Sequence, residues 1–163
     1  MNSPYLIRLS SPVGRIELQA DDSALTSLTI ERDGALPHDD LPERTSALLE
    51  TARSQLDEYF DGRRTSFDIP VRLDGTPFQR AVWAELQRLA WGEATSYGAL
   101  AAAVGRPGSA RAIGGAVGAN PMPIIVGCHR VLASDGRITG YSGGEGIPTK
   151  VWLLGHEQIG FAA

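Results

Sequence analysis

The sequence predicts an α+β fold in two parts: a small antiparallel sheet backed by a helix, then a mostly helical second half. Three observations carry that prediction. The first thirty residues alternate apolar and polar side chains. From Leu48 to Phe60 the apolar residues recur at helical spacing. From Thr76 onward, short helix-forming stretches follow one another across tight turns.

The elements can be justified in order. YLIRL, GRIELQA and ALTSLTI alternate, and the turn-formers SPVG and ADDS separate them, which reads as an antiparallel meander. PHDDLP, residues 37–42, is a loop. Leu48, Leu49, Ala52, Leu56, Tyr59 and Phe60 then mark one helix face that covers the sheet, and FDIPV, residues 67–71, is expected as a further short strand. The charged residues of this half read as a solvated face. The character changes at Asp74-Gly75, so the boundary is placed between residues 1–75 and 76–163.

In the second part, Thr76-Pro77-Phe78-Gln79 offers an N-cap, a proline in the first helical turn and a glutamine for a capping box, ahead of the first helix. After the turn GEAT, Ser96 caps SYGALAAAV and Gly105 stops it. RPG turns the chain into SARAIGGAVGAN, which Asn120-Pro121 halts. Short helices joined by tight turns are the pattern of a helix-turn-helix.

Composition sets the chemical limits. A chain of 163 residues, 42% hydrophobic and 21% charged, can bury a core. Its net charge of −4 divides unevenly: residues 1–75 hold 8 basic and 14 acidic side chains, and residues 76–163 hold 7 and 5. The second half is therefore mildly basic, too weakly for charge alone to define a partner. Lys150 is the single lysine among the 15 basic residues. A single cysteine excludes an intramolecular disulfide framework, and no leader or membrane-spanning run is seen, so the expectation is a cytoplasmic protein without membrane association.

Three features of the second half suggest chemistry. Gly114, Gly115 and Gly118 each weaken a helix by roughly 1 kcal/mol relative to alanine, so either tight packing or a close-approaching partner uses that face. Arg111, early in the same helix, is not a residue that packing requires. The only cysteine, Cys128, stands in IIVGCHRV with His129 to accept a proton, Arg130 to favour an anion and Gly127 to leave the sulfur uncrowded. Glu157, in WLLGHEQ, is a candidate to orient His129, giving the activated-thiol logic of Cys-His-Glu. Between them DGRITGYSGGEGIPT reads as a flexible lid, with Tyr141 as a stacking platform or a loop anchor.

GCHRV, preceded by RAIGGAVGANPMPIIV and followed by GYSGG and WLLGHE, resembles the O6-alkylguanine-DNA alkyltransferase family from about Thr76 to Gln158. The resemblance implies a ribonuclease-H-like N-terminal domain and a winged-helix-like C-terminal domain whose helix-turn-helix binds the minor groove of double-stranded DNA containing O6-alkylguanine. It implies irreversible transfer of the alkyl group to Cys128, one turnover per molecule, by a monomer without cofactor or metal; O4-alkylthymine is a second candidate substrate. By position, Cys128 would be the acceptor, His129 the water-mediated base and Glu157 its holder. Asn120 would brace the turn, and Tyr97 would rotate the nucleotide and protonate the leaving base. Arg111 would be the finger that fills the gap. Ser96, Tyr97, Ala112, Gly114 and Gly115 would face DNA; Tyr141, Ser142, Gly143, Val131 and Met122 would form the base pocket.

The sequence departs from the family pattern in three places. Gly127 stands where the family normally has proline. The lid looks about two residues longer, with Glu145-Gly146 and Pro148 in it. Gly118-Ala119 stands where relatives often carry a basic residue. Two other readings compete: a family member that recognises alkylated DNA without transfer, and a cysteine hydrolase unrelated to DNA, which would leave Arg111 and the helix-turn-helix unexplained.

Overall fold

A computed structural model of the chain describes residues 3–162. Its contacts divide into two units, with the break between Arg72 and Leu73, three residues before the expected boundary.

In the first unit, β1 (Tyr5–Leu9), β2 (Ile16–Ala20) and β3 (Leu25–Ile30) form an antiparallel sheet in the order β1-β2-β3. Leu9 pairs with Ile16 and Ile16 with Ile30, so the apolar residues of all three strands share a face. Helix α1 (Ala47–Phe60) begins where the Ser46 hydroxyl accepts the Leu49 N–H at 3.2 Å. Its Leu49, Ala52, Leu56 and Tyr59 are wholly buried, and burial of each large side chain contributes roughly 1.5–3 kcal/mol. The strand expected over 67–71 is reduced to one parallel bridge, Leu25 to Val71. Pro70 accepts the Leu25 N–H at 2.9 Å but has no N–H of its own with which to extend a ladder.

This unit also takes in Gly143–Glu145. Arg32 Nε donates to the Gly144 carbonyl at 2.6 Å, and the Asp33 N–H donates to Glu145 Oε1 at 2.6 Å.

The second unit opens with α2 (Pro77–Gln87), whose capping box between Thr76 and Gln79 is complete. Gly75 is required there, because a Cβ would lie 2.6 Å from the Trp83 ring. Trp83 Nε1 donates to the Ala116 carbonyl at 2.8 Å and so fixes α2 to the helix that carries Ala116. A short strand, β4 (Thr95–Ser96), leads into α3 (Tyr97–Ala103), where the Ser96 hydroxyl caps the Ala99 N–H at 3.0 Å. Gly105, at φ +77°, ends that helix before α4 (Ala110–Gly118) begins. A 3₁₀ turn over Cys128–Arg130 runs into β5 (Val131–Leu132), which pairs in parallel with β4.

Helix α5 (Ile147–His156) closes the unit. Gly146 is its N-cap at φ +78° and Pro148 lies in its first turn. The two residues therefore start a helix, where the sequence reading puts them in the lid; proline suits a first turn because no intrahelical N–H bond is needed there. Among the described residues, no helix is long and apolar enough to cross a membrane.

Candidate active site

A strained, internally bonded turn presents the thiol. Asn120 spans it: its Oδ1 accepts the Met122 N–H at 2.9 Å and its Nδ2 donates to the Val126 carbonyl at 2.9 Å. Ile124, a β-branched residue, is held at φ +74°, a conformation that costs on the order of 1–3 kcal/mol and persists only where the surroundings impose it. Gly127, at φ −73° and ψ 59°, is the centre of an inverse γ-turn closed by the Cys128 N–H donating to the Val126 carbonyl at 2.8 Å.

Behind the thiol lies a buried ionic network. His129 is fully buried and its Nε2 is 2.7 Å from Glu157 Oε2. A carboxylate only accepts, so Nε2 carries the proton and Nδ1 is left as a bare lone pair. Nδ1 is buried with no hydrogen-bond partner among the described residues. Arg130 grips the same carboxylate, with Nε to Oε1 at 2.7 Å and Nη2 to Oε2 at 3.0 Å, and its Nη1 donates to the Leu89 carbonyl at 2.9 Å. Burial depresses the His129 pKa more than Glu157 raises it, so the imidazole is held neutral.

Burial also pushes the Cys128 thiol upward. Asn120, Tyr141 and Lys150 act in the opposite direction without prevailing. The Cys128 S–H donates to the Tyr141 hydroxyl over 3.8 Å.

The sulfur borders a cavity of about 620 Å³, within the range of small-molecule sites. Tyr97 from α3, Arg111, Gly114 and Gly118 from α4, and residues 139–142 make its other walls. The glycines do not serve tight packing: a Cβ on Gly114 would come no nearer than 4.0 Å to Tyr97, and one on Gly115 would meet nothing. Their missing side chains widen an open face. The lid is tied at two points: Ser142 Oγ donates to the Gly118 carbonyl at 2.9 Å and Lys150 Nζ donates to the Gly140 carbonyl at 3.1 Å. Among the described residues, no group of three or more His, Cys, Asp or Glu side chains is placed to hold a metal ion.

Comparison with known proteins decides the family. Residues 77–159 match the 6-O-methylguanine DNA methyltransferase DNA-binding domain, and residues 5–73 match the ribonuclease-like domain of the same family. The chain belongs to the 6-O-methylguanine DNA methyltransferase family. It is 36% identical to a methylated-DNA–protein-cysteine methyltransferase of Haemophilus influenzae, covering 98% of this chain and 89% of that one. Against the protein of the same description from Mycolicibacterium paratuberculosis it is 42% identical, over 92% and 90% of the two chains. The crystal structure of Mycobacterium tuberculosis O6-methylguanine methyltransferase superposes with a TM-score of 0.84 at 40% identity, over 94% of this chain and 92% of that one. A structure of the tuberculosis protein in complex with DNA matches equally well.

Within this methyltransferase fold the expected residues separate into groups. Asn120 braces the turn that leads to Cys128, Glu157 holds His129, and Tyr97, Arg111, Gly114, Tyr141 and Ser142 line the cavity with the thiol. Met122 and Val131 do not line it. Both are fully buried, because the tight turn and the β4–β5 pairing direct them inward. Gly143 belongs to the first unit, and Ser96 spends its hydroxyl on capping α3. Ala112 and Gly115 are exposed on α4 outside the cavity wall.

Arg130 is a correction: the 3₁₀ turn carries its guanidinium to Glu157, and it does not serve the sulfur. Lys150, 1% exposed, is a buried cation to which sequence reasoning gives no role; its ammonium donates to the Val131 carbonyl at 2.6 Å and to the Gly140 carbonyl at 3.1 Å. Its signal was its singularity as the only lysine in a chain of arginines.

Proposed function

We propose that this chain repairs DNA by direct reversal, moving the alkyl group of O6-alkylguanine irreversibly onto Cys128. The observation that carries the reading is the orphaned Nδ1 of His129. It is a neutral buried base, locked by Glu157, on the residue next to a thiol that opens into a cavity. One water molecule between Nδ1 and Sγ completes a proton relay. His129 takes up the thiol proton through that water, and the sulfur attacks the alkyl carbon. The S–C bond forms as the C–O bond breaks, and the guanine leaves as its neutral keto form once protonated. Tyr97 and Tyr141, whose hydroxyls lie at the cavity, are the candidate proton sources. The product is a thioether with nothing to hydrolyse it, so each molecule acts once.

The DNA-binding reading rests on α3, the tight turn after it and α4, taken as a helix-turn-helix against the minor groove. The glycine face of α4 admits close approach. Arg111 is exposed, and no hydrogen bond or ion pair engages it among the described residues, which leaves it available to fill the gap after a base is extruded. Base flipping costs a few kcal/mol, and a guanidinium inserted in the stack offsets part of that loss. The protein is proposed to act as a monomer on duplex DNA.

Intact-mass and peptide analysis after incubation with an O6-methylguanine duplex tests the function. One added CH₂ per molecule, on the peptide containing Cys128, is the expected result. Sustained turnover, or no adduct while the duplex is bound, refutes it.

A further inference from the structure

Four of the six arginines in the second unit have partners. Arg80 donates to the Gly75 carbonyl at 3.0 Å, Arg88 meets Glu85 at 3.5 Å, Arg130 holds Glu157 at 2.7 Å and Arg137 meets Asp135 at 3.4 Å. Among the described residues, no hydrogen bond or ion pair engages the guanidinium of Arg106 or Arg111, and both residues are exposed. Arg111 is the candidate finger; Arg106 has no part in the transfer. It stands in the turn between α3 and α4, and its Cζ lies over the Phe78 ring of α2, 4.9 Å from the centroid. That is within the ~6 Å over which a ring face attracts a cation.

The turn fixes the backbone that carries this guanidinium. The Arg106 N–H donates to the Ala101 carbonyl at 2.8 Å, and the Arg106 carbonyl accepts the Ser109 N–H at 3.2 Å. Gly105 and Gly108 flank it at φ +77° and +84°, and a Cβ on either would meet nothing within 4 Å, so the surroundings are open. Phe78, half-buried in the first turn of α2, holds the head by its ring and leaves the N–H donors unengaged. A guanidinium held on an aromatic face has less freedom to lose when it meets an anion. The chain offers no anion nearby in sequence: residues 94–134, which cover α3, the turn and α4, contain no aspartate or glutamate, although the whole protein carries a net charge of −4. An acidic protein that keeps carboxylates off one helix pair, and leaves two exposed arginines there without partners, presents a local site for an external anion.

We propose that Arg106, held by Phe78, is a backbone-phosphate contact that docks the helix pair on duplex DNA, with Phe78 as its positioning residue. The inference rests on α3, the turn and α4 being the DNA-facing element. The two free arginines then divide the work. Arg111 acts where a base leaves the stack, whereas Arg106 neutralises a phosphate whatever the sequence. Such a contact carries no sequence information, but it sets register and orientation.

Binding of the full-length protein to two undamaged duplexes of different sequence, repeated over a range of salt, tests the contact. Each neutralised phosphate contributes about 0.9 to the slope of log K against log salt. Arg106→Ala should therefore flatten the slope by about 0.9 and weaken binding roughly fivefold at about 0.15 M salt, equally on both duplexes. Arg106→Lys keeps the charge and should restore the slope. Arg88→Ala, which removes an exposed charge paired with Glu85, should keep the wild-type slope. Phe78→Leu should weaken binding less than Arg106→Ala, and the double variant should bind no more weakly than Arg106→Ala alone. An unmoved slope in folded Arg106→Ala, or an equal flattening in Arg88→Ala, overturns the phosphate contact. Additive losses in the double variant overturn the part given to Phe78. Wild-type protein that binds neither duplex overturns the DNA-facing reading of the helix pair instead.

Discussion

Gly127→Pro tests how firmly the turn holds its sulfur. Gly127 sits at φ −73°, inside the range of about −65 ± 15° that a pyrrolidine ring imposes. No acceptor takes its N–H among the described residues, so the ring removes no hydrogen bond. Restricting the unfolded chain in this way stabilises by roughly 0.4–1 kcal/mol. Against that gain stands Arg130: a Cβ at position 127 would lie 3.0 Å from its Cδ and from Nη1. Arg130 is fixed by bonds of 2.7 and 3.0 Å to Glu157 and 2.9 Å to Leu89, so it yields by small bond extensions. The net gain is expected to stay below about 1 kcal/mol, a rise in melting temperature of no more than ~2–4 °C for a chain of this size. Because Asn120 and the γ-turn already fix the backbone, single-turnover transfer on one duplex should change only a few-fold. An acceleration beyond roughly tenfold would refute the reasoning, since a misplaced reacting atom is the kind of defect that costs ~100-fold. Gly127→Ala separates the causes, because it adds the same Cβ without the ring.

Arg111→Ala should slow repair of duplex far more than reaction with free O6-benzylguanine, because only the duplex requires a base to be extruded; equal losses would remove its assigned role. Glu157→Ala leaves the Arg130 guanidinium buried without its carboxylate and should cost about 3–5 kcal/mol, read by denaturant melts. Glu157→Gln keeps the volume and should lose transfer more than stability. Stability should be greatest between the ordinary ionisation values of histidine and cysteine, 6.5 and 9.0. The folded His129 pKa is lowered, so as pH falls through 6.5 the unfolded chain takes a proton that the folded one refuses, and stability declines. The folded Cys128 pKa is raised, so above 9.0 the unfolded thiol ionises first and stability declines again. Cys128→Ser should flatten the alkaline arm, and a melt series in which it does not would overturn that assignment.

The local elements were legible in the sequence because their causes are local. Alternation sets which face of β1–β3 is buried, and Ser46, Thr76 and Ser96 cap the helices that follow them through bonds spanning three residues. The motif around Cys128 likewise identified the thiol and its histidine. Adjacency misled where direction mattered: Arg130, two residues from the sulfur, turns to Glu157, twenty-seven positions away. Gly146 and Pro148, which composition alone assigns to the lid, stand at the start of α5. The link from His129 to Glu157 spans 28 positions and the tie from Lys150 to Val131 spans 19. Neither distance has a period that a sequence can display. Capping and amphipathicity depend on the bond geometry of a few residues and can be read from order alone. Which nitrogen of His129 is free, and which cation meets Glu157, depends on where separate segments pack, and only the tertiary structure decides that.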